Sequence, residues 1–385
     1  QHTDVIFEKM ADNQIAIRGK GRRSELRFEA RLVVDTDGDL EVINVTDSPM
    51  SSTTSNNVTT YTYPQEGVPN AIKISNANYA TCYVVGATSY INFETIGNEE
   101  TAKKRCDAYV EALLQDEPDY RDYEAIKAAH IADYQKYYNR SSIKLEGASE
   151  SAATTPTGTR FTNFAKSSST HYNDPSTVNL YYNFAKYLMI SGSREGSQPL
   201  NLQGIWNASN MPAWDSKYTI NINTEMNYWM AQTANLAEFE KPLLEAILET
   251  EKNGTAVAKE YYGIDGGYVV HHNFDIWRGA APVDSSDSAT LSPVGSAWLL
   301  DHAWEYYQFN LDEDYLLKFY PLMKKGLVFY DGLLIKDPVT GYLISPASVS
   351  PEQGGIQPGP TYDHQLIRNL YRITIQANAA LKAAG

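Results

Sequence analysis

Cysteine is nearly absent. Cys82 and Cys106 are the only two in 385 residues, which excludes a disulfide scaffold and a cysteine-based zinc site. Two free thiols are expected, with Cys82 of "YATCYVVGA" read as part of a buried strand. Histidine is also scarce, seven in all, and only His271 and His272 are neighbours. Adjacent histidines on a strand face opposite ways, so neither a metal site nor a cofactor is expected. No run of about 18 apolar residues occurs, so no membrane-spanning helix is expected. The opening "QHTDVIFEKM" has no basic segment followed by an apolar one, the mark of a secretory leader. Basic residues are outnumbered, 32 against 47 acidic, for a formal charge of −15. A surface that acidic repels phosphate, which argues against nucleic acid as a partner. A P-loop, a dinucleotide fingerprint and a nucleophile elbow are all missing.

Aromatic residues are abundant, at 12% with 28 tyrosines and 6 tryptophans. Rings with a polar tip suit ligands that are half apolar, as sugar rings are. A tyrosine-rich core and surface would give the same composition. The chain is 42% hydrophobic and 21% charged, the range of a soluble globular protein. Its length favours two domains.

Residues 1–98 read as strands. In "LRFEARLVV", Leu26, Phe28, Ala30, Leu32 and Val34 share one face, with charged residues between. "DTDGD" supplies a turn, and "LEVINV" returns as a second strand. This is an antiparallel sheet assembly, read as part of a sandwich. Residues 99–172 form a helical linker, "NEETAKKRCDAYVEALLQ" and "DYEAIKAAHIADYQKYYNR", then a Ser/Thr/Gly-rich loop. Residues 173–385 are mostly helical. "STVNLYYNFAKYLMISGSR" carries Leu180, Phe184, Tyr187 and Leu188 at helical spacing. "EKPLLEAILETEKNGTAVAKEYYG" has Pro242 near its start and Gly263 as its stop. "SPVGSAWLLDHAWEYYQF" is apolar on most sides, which marks an inner helix, and Ser292-Pro293 is expected to open it.

Three long polar loops lie between these helices, where chemistry tends to sit. They are "LQGIWNASNMPAWDSKYTININTEMNYW", "GGYVVHHNFDIWRGAAPVD" and "ISPASVSPEQGG". In the third, a rigid Ser-Pro-Glu turn can hold Glu352 as a general acid; an exposed loop glutamate is the plain alternative. In the first, Asn221 and Asn223 are two apart. In an extended segment both amides point to one side, where their carbonyls can orient a water or bind sugar hydroxyls. The alternative is that Asn223 or Thr224 caps the helix that follows.

Taken together, "NLQGIWN", "PAWDSKYTININTEMNYW", "VVHHNFDIW", "LSPVGSAWL", "SPEQ" and "YDHQLIRNLY" resemble glycoside hydrolase family 95 in order and spacing, from about residue 20 onward. That family holds inverting 1,2-α-L-fucosidases and some α-L-galactosidases. The resemblance implies an N-terminal β-sandwich, here partial, a helical linker, and the first part of an (α/α)6 barrel. It implies Glu352 as general acid, with Asn221 and Asn223 activating water alongside an aspartate further along the chain. It also implies removal of terminal α-L-fucosyl or α-L-galactosyl groups from fucosylated or L-galactosylated glycans. The expected contacts to substrate are Trp206, Asn207, Trp214, His272, Asp275 and Trp277, each aromatic being equally open to plain packing. Thr219 falls where fucosidases of the family often carry histidine, and threonine there goes with tolerance of L-galactose.

The family's supporting aspartate lies in an Ile-Asp-Gly-Asn-Phe-Gly-like motif that these 385 residues do not contain. The chain is therefore read as a fragment of a longer enzyme, secreted or periplasmic when whole, and inactive alone. A glycoside phosphorylase of similar layout is the alternative enzyme, but it needs a basic phosphate pocket, and the three loops hold only Lys217 and Arg278 as cations. A non-catalytic carbohydrate-binding or truncated product is the alternative outside catalysis.

Overall fold

The computed structural model describes every residue except 1, 22–23, 47–50, 56–57, 63–66, 115–122, 148–151, 153, 167–173, 210, 284–289, 352 and 385. The chain divides into two compact units, Gln1–Asp133 and Tyr134–Gly385.

In the first unit the strands are β1 (His2–Ala11), β2 (Gln14–Gly21), β3 (Arg27–Thr36), β4 (Asp39–Ile43), β5 (Ser51–Ser55), β6 (Val58–Thr62), β7 (Ala71–Ser75), β8 (Ala80–Thr88), β9 (Tyr90–Asn92) and β10 (Thr95–Ile96). An antiparallel sheet runs β1-β2-β3-β8, and β4-β7, β5-β6 and β9-β10 form separate ribbons. The strand after the "DTDGD" turn thus pairs with β7 and not with β3. Helix α1 (Glu99–Leu114) lies on β3 and β8. Asn98 and Thr101 cap it reciprocally, each side-chain oxygen accepting the other's backbone N–H at 3.2 Å. Because α1 belongs to this unit, the division falls inside α2 (Tyr123–Tyr138), between Asp133 and Tyr134. Boundaries at 98 and 172 were the expectation.

Two readings of these strands are corrected. Along most of β3 the apolar face is not the more buried one: Phe28, Ala30 and Leu32 are half-buried, whereas Glu29, Arg31 and Val33 are buried, and Val34 alone of the expected face is buried too. The reason is a set of ion pairs under α1. Glu29 accepts from Arg18 and from Arg31 at 2.5 Å, and Arg31 reaches Asp107 of α1 at 2.6 Å. Cys82 is exposed, because it lies on the outward-alternating face of β8 with Ala80 and Val84. Both cysteines are free, and Cys106 is buried over Glu29.

The second unit is mostly helical: α3 (Thr157–Lys166), α4 (Ser176–Gly192), α5 (Asn223–Tyr228), α6 (Met230–Thr233), α7 (Lys241–Glu249), α8 (Glu251–Tyr262), α9 (Gly295–Asn310), α10 (Glu313–Leu333) and α11 (Thr361–Ala384). Short strand pairs join the loops: β11 (Tyr218–Thr219) with β12 (Asn273–Phe274), β13 (Ile335–Lys336) with β14 (Leu343–Ile344), and β15 (Ser348–Ser350) with β16 (Gln353–Gln357). Helix α9 is the inner one and packs against α5, α6, α7, α10 and α11. Leu299 and Leu300 meet Leu243, Phe319, Met323 and Leu370 in one apolar core. Gly263 ends α8 in the left-handed conformation at φ 70°, which glycine adopts without strain.

Local expectations fail in three places. Helix α9 begins at Gly295, not after Ser292, and its N-cap position is Val294. Gly295 lies so close to the backbone that a Cβ would sit 2.6 Å from the His271 carbonyl oxygen. The "EKPLLEAILETEKNGTAVAKEYYG" segment breaks at Thr250, whose hydroxyl bonds Ile247 O at 2.6 Å and the Tyr268 hydroxyl at 2.7 Å. In α4 the buried face carries Lys186, Met189 and Ile190, while Phe184 is 53% exposed. Lys186 is held by the carbonyls of Tyr138 and Ser141 and by the Tyr138 ring at 4.2 Å.

Candidate active site

The structure joins the first two loops through β11 and β12. Tyr218 stands opposite Phe274, and Thr219 opposite Asn273. The two rings pack at 4.7 Å, and Ile220 N–H donates to His272 O at 2.8 Å. The third loop reaches the same region through the approach to α9. Val349 N–H donates to Leu291 O at 2.9 Å, and Ser296 N–H donates to Val270 O at 3.2 Å. The three segments singled out by composition thus converge near the start of α9.

Asn221 is half-buried in the turn that enters α5, and Asn223 is exposed as the first residue of that helix. They are not in an extended segment, so strand alternation does not describe them. Capping does not describe Asn223 either. The N-cap position is Ile222, and no side chain makes a capping hydrogen bond there. Helix α5 is fixed from behind. Tyr228 accepts Leu200 N–H at 2.8 Å and bonds the Ser193 hydroxyl at 2.8 Å, while Asn227 donates to Asn201 O at 3.0 Å. These bonds hold "NLQGIWN" beside "NINTEMNYW". Glu352 lies outside the described residues; the strands flanking it in sequence are β15 and β16, paired through Ser350 and Gln353.

The expected substrate contacts separate into three kinds. Trp206 and Trp214 are exposed, the former 6.3 Å from the Tyr187 ring. Trp214, Asp215 and Ser216 all have φ near 54°, and three consecutive non-glycine residues in that region cost about 1–2 kcal/mol each. Asn207 and Asp275 are engaged in turns. Asn207 bonds Ser209 on both its atoms at 2.9 Å, and Asp275 Oδ1 accepts the N–H groups of Trp277 and Gly279. His272 and Thr219 are buried, and Trp277 is half-buried. The Thr219 hydroxyl has no hydrogen-bond partner among the described residues.

Asp275 also lines a cavity of about 370 Å³, with Lys217, Asn253, Glu260, Asn273 and Phe274. Sequence reading did not name Asn273 as a contact; the signal is its place in register with Thr219, which is non-local. The two histidines do face different partners. His271 lies between the Ala280 carbonyl and the Tyr262 hydroxyl, at 2.8 and 2.7 Å, and burial pushes its pKa down to about 4. His272 Nε2 lies 2.6 Å from the Asn273 amide. Among the described residues no group of three metal-ligating side chains comes together.

Behind Asn223 lies a buried titratable cluster that sequence reading missed. Glu225 is fully buried, and neither of its oxygens has a hydrogen-bond partner outside its own backbone among the described residues. Burial raises its pKa to about 7, against the pull of His302. His302 Nδ1 pairs with Glu240 at 2.7 Å, and Gln232 donates to the same carboxylate. Burial works against charge on His302, but the Glu240 carboxylate outweighs it and holds its pKa above the ordinary value. A glutamate inside an amphipathic-looking helix reads as solvated, which is why no local signal marks Glu225.

Sequence comparison adds a family and two relatives. The profile of the Glycosyl hydrolase family 95 catalytic domain matches residues 122–384. "Alpha-L-fucosidase 2" of Arabidopsis thaliana is 35% identical over 272 residues, covering 67% of this chain and 31% of its own. "Probable alpha-fucosidase A" of Aspergillus niger is 33% identical over 264 residues, covering 66% and 32%. The chain therefore spans about a third of the length of these curated relatives. Among solved structures, a putative kojibiose phosphorylase from the human microbiome superposes with a TM-score of 0.58 at 12% identity. It covers 97% of this chain and 43% of that one, which is a likeness of fold.

Proposed function

The chain belongs to glycosyl hydrolase family 95, and from that premise we propose that the whole protein removes terminal α-L-fucosyl, or α-L-galactosyl, groups from glycans with inversion. In this reading the first unit is part of a β-sandwich and the second is part of an (α/α)6 barrel. Glu352 protonates the leaving oxygen. Asn221 and Asn223 accept the protons of the attacking water and align it. An amide carbonyl is barely basic, so the proton passes to a carboxylate beyond these residues. The observation that carries the reading is the uncapped start of α5. Asn223 is exposed at the first helical position, next to the β11–β12 ribbon, with no capping bond to occupy it.

The phosphorylase alternative needs cations free for phosphate. Lys217 already meets Asp215 at 2.9 Å, and Arg278 is buried against Glu249 at 2.6 Å, so hydrolysis fits better. Thr219, buried with an unpartnered hydroxyl beside Asn273, is consistent with accommodation of the extra C6 hydroxyl of L-galactose. Matched L-fucosides and L-galactosides decide that preference.

The experiment is substitution in the full-length enzyme. Glu352→Gln should abolish release of sugar from glycosides whose leaving group needs a proton. Asn221→Gly and Asn223→Gly should each cut kcat by about 10²-fold or more with little change in substrate binding. Near-normal turnover in either asparagine variant would sink the water-holding role.

A further inference from the structure

Glu225 stands two residues past Asn223 in the same short helix, so the seat of one side chain fixes the other. Among the groups on the neighbouring elements, His302 acts directly on the Glu225 charge. Helix α9 supplies His302, with Glu305 behind it. The segment before α7 supplies Glu240, already paired with His302 at 2.7 Å. Helix α11 supplies Tyr362, whose pKa burial and then the Glu225 charge push upward, with Asp363 beside it. Strand β11 supplies Tyr218, and α6 supplies no titratable side chain. The one cation in this set is His302, and Glu240 already matches it. Among the described residues a second buried carboxylate here has no cation of its own, and an unpaired buried charge is strongly unfavourable.

We propose that Glu225 is a positioning residue for the water-holding site: its carboxyl is buried without a side-chain partner two residues past Asn223 in α5, and loss of its proton to solvent displaces α5, so Asn221 and Asn223 hold water only while that carboxyl is neutral. The inference rests on the roles given above to Asn221 and Asn223. Burial places the titration near neutral pH, so the device acts where a glycosidase works. Tyr228 and Asn227 anchor the far end of α5 to Leu200 and Asn201, whereas the Asn223 end is entered from Ile220, bonded to His272 O, and has no side-chain capping bond.

The test compares full-length wild type with Glu225→Gln, using α-L-fucosyl fluoride, whose leaving group needs no general acid. Wild-type kcat should fall about tenfold per pH unit above about 7 at constant KM. Glu225→Gln should keep a flat kcat across that range, about two- to fivefold below the wild-type plateau. An unchanged alkaline fall in the variant, or a change confined to KM, overturns the proposal. If the variant does not fold, infrared difference spectra of wild type carrying labelled glutamate decide. A protonated buried carboxyl band lost between pH about 6 and about 8 supports the proposal, and its absence overturns it. Asn223→Gly, run in parallel, separates the two readings. Normal turnover there overturns both, whereas lost turnover there with an unchanged alkaline fall in Glu225→Gln overturns only this inference.

Discussion

In the sheet unit, Arg18, Glu29, Arg31 and Asp107 bring two guanidinium groups to two carboxylates. In the helical unit, Glu225, Glu240 and His302 bring two carboxylates to one imidazole. Both clusters have a buried carboxylate at their centre, Glu29 in the first and Glu240 with Glu225 in the second, and both face a desolvation cost there. The first meets it with matched charge, each Glu29 oxygen accepting from a different guanidinium and Arg31 bridging on to Asp107, which fixes a helix on a sheet. The second leaves one carboxyl over, and burial raises its pKa to about 7. Matched charge gives rigid architecture; an unmatched group gives sensitivity to pH, and here it sits under the proposed reacting water.

The contrast can be broken at its stronger side first. Arg31→Met leaves Glu29 with Arg18 alone, and it should cost roughly 3–5 kcal/mol in urea unfolding followed by a probe in the sheet unit. The exposed Lys73–Glu41 pair of the same unit, at 3.4 Å, serves as control: Lys73→Ala should cost less than about 0.5 kcal/mol. A loss for Arg31→Met no larger than the control would mean that the buried pairs do not hold α1 in place.

The pH dependence of stability sharpens the comparison with a smaller effect. Burial raises the pKa of Glu225 to about 7 in the folded state, against an ordinary 4.5. The folded state therefore holds a proton that the unfolded chain has lost, and stability is full below about 4.5 and falls as pH rises to about 7. The loss is roughly 3 kcal/mol. Asp107 works in the opposite sense. Its hydrogen bond to Lys103, helped by Arg31, lowers its pKa, so its contribution is full above the ordinary carboxylate range and is lost as pH falls. Thermal unfolding from pH about 4.5 to about 8 should show the fall in wild type and a flatter curve in Glu225→Gln. Parallel curves for the two proteins would show that Glu225 does not titrate there.

What could be read from sequence was what depends on near neighbours. Strand alternation located β3, the proline and glycine punctuation bounded α7 and α8, and the amide-rich runs located the loops that converge. What could not be read depends on distant partners. The buried face of β3 is set by Asp107, 76 residues from Arg31. The partner of Thr219 is Asn273, from another loop. The start of α9 is set by the close approach of the His271 carbonyl, not by a Ser-Pro signal. Glu225 gave no signal, because its burial comes from α9 and α11. Residue type and spacing singled out Glu352, Asn221 and Asn223 as candidates, while their assignment as acid and water-holding pair came from the family resemblance. The geometry adds that Asn223 is left without a capping role.

Inversion with asparagine-aligned water is tested most directly by the anomer first released. A time-resolved proton NMR spectrum of the full-length enzyme acting on an α-L-fucoside should show β-L-fucose appearing first and then mutarotating. Initial release of α-L-fucose would contradict it.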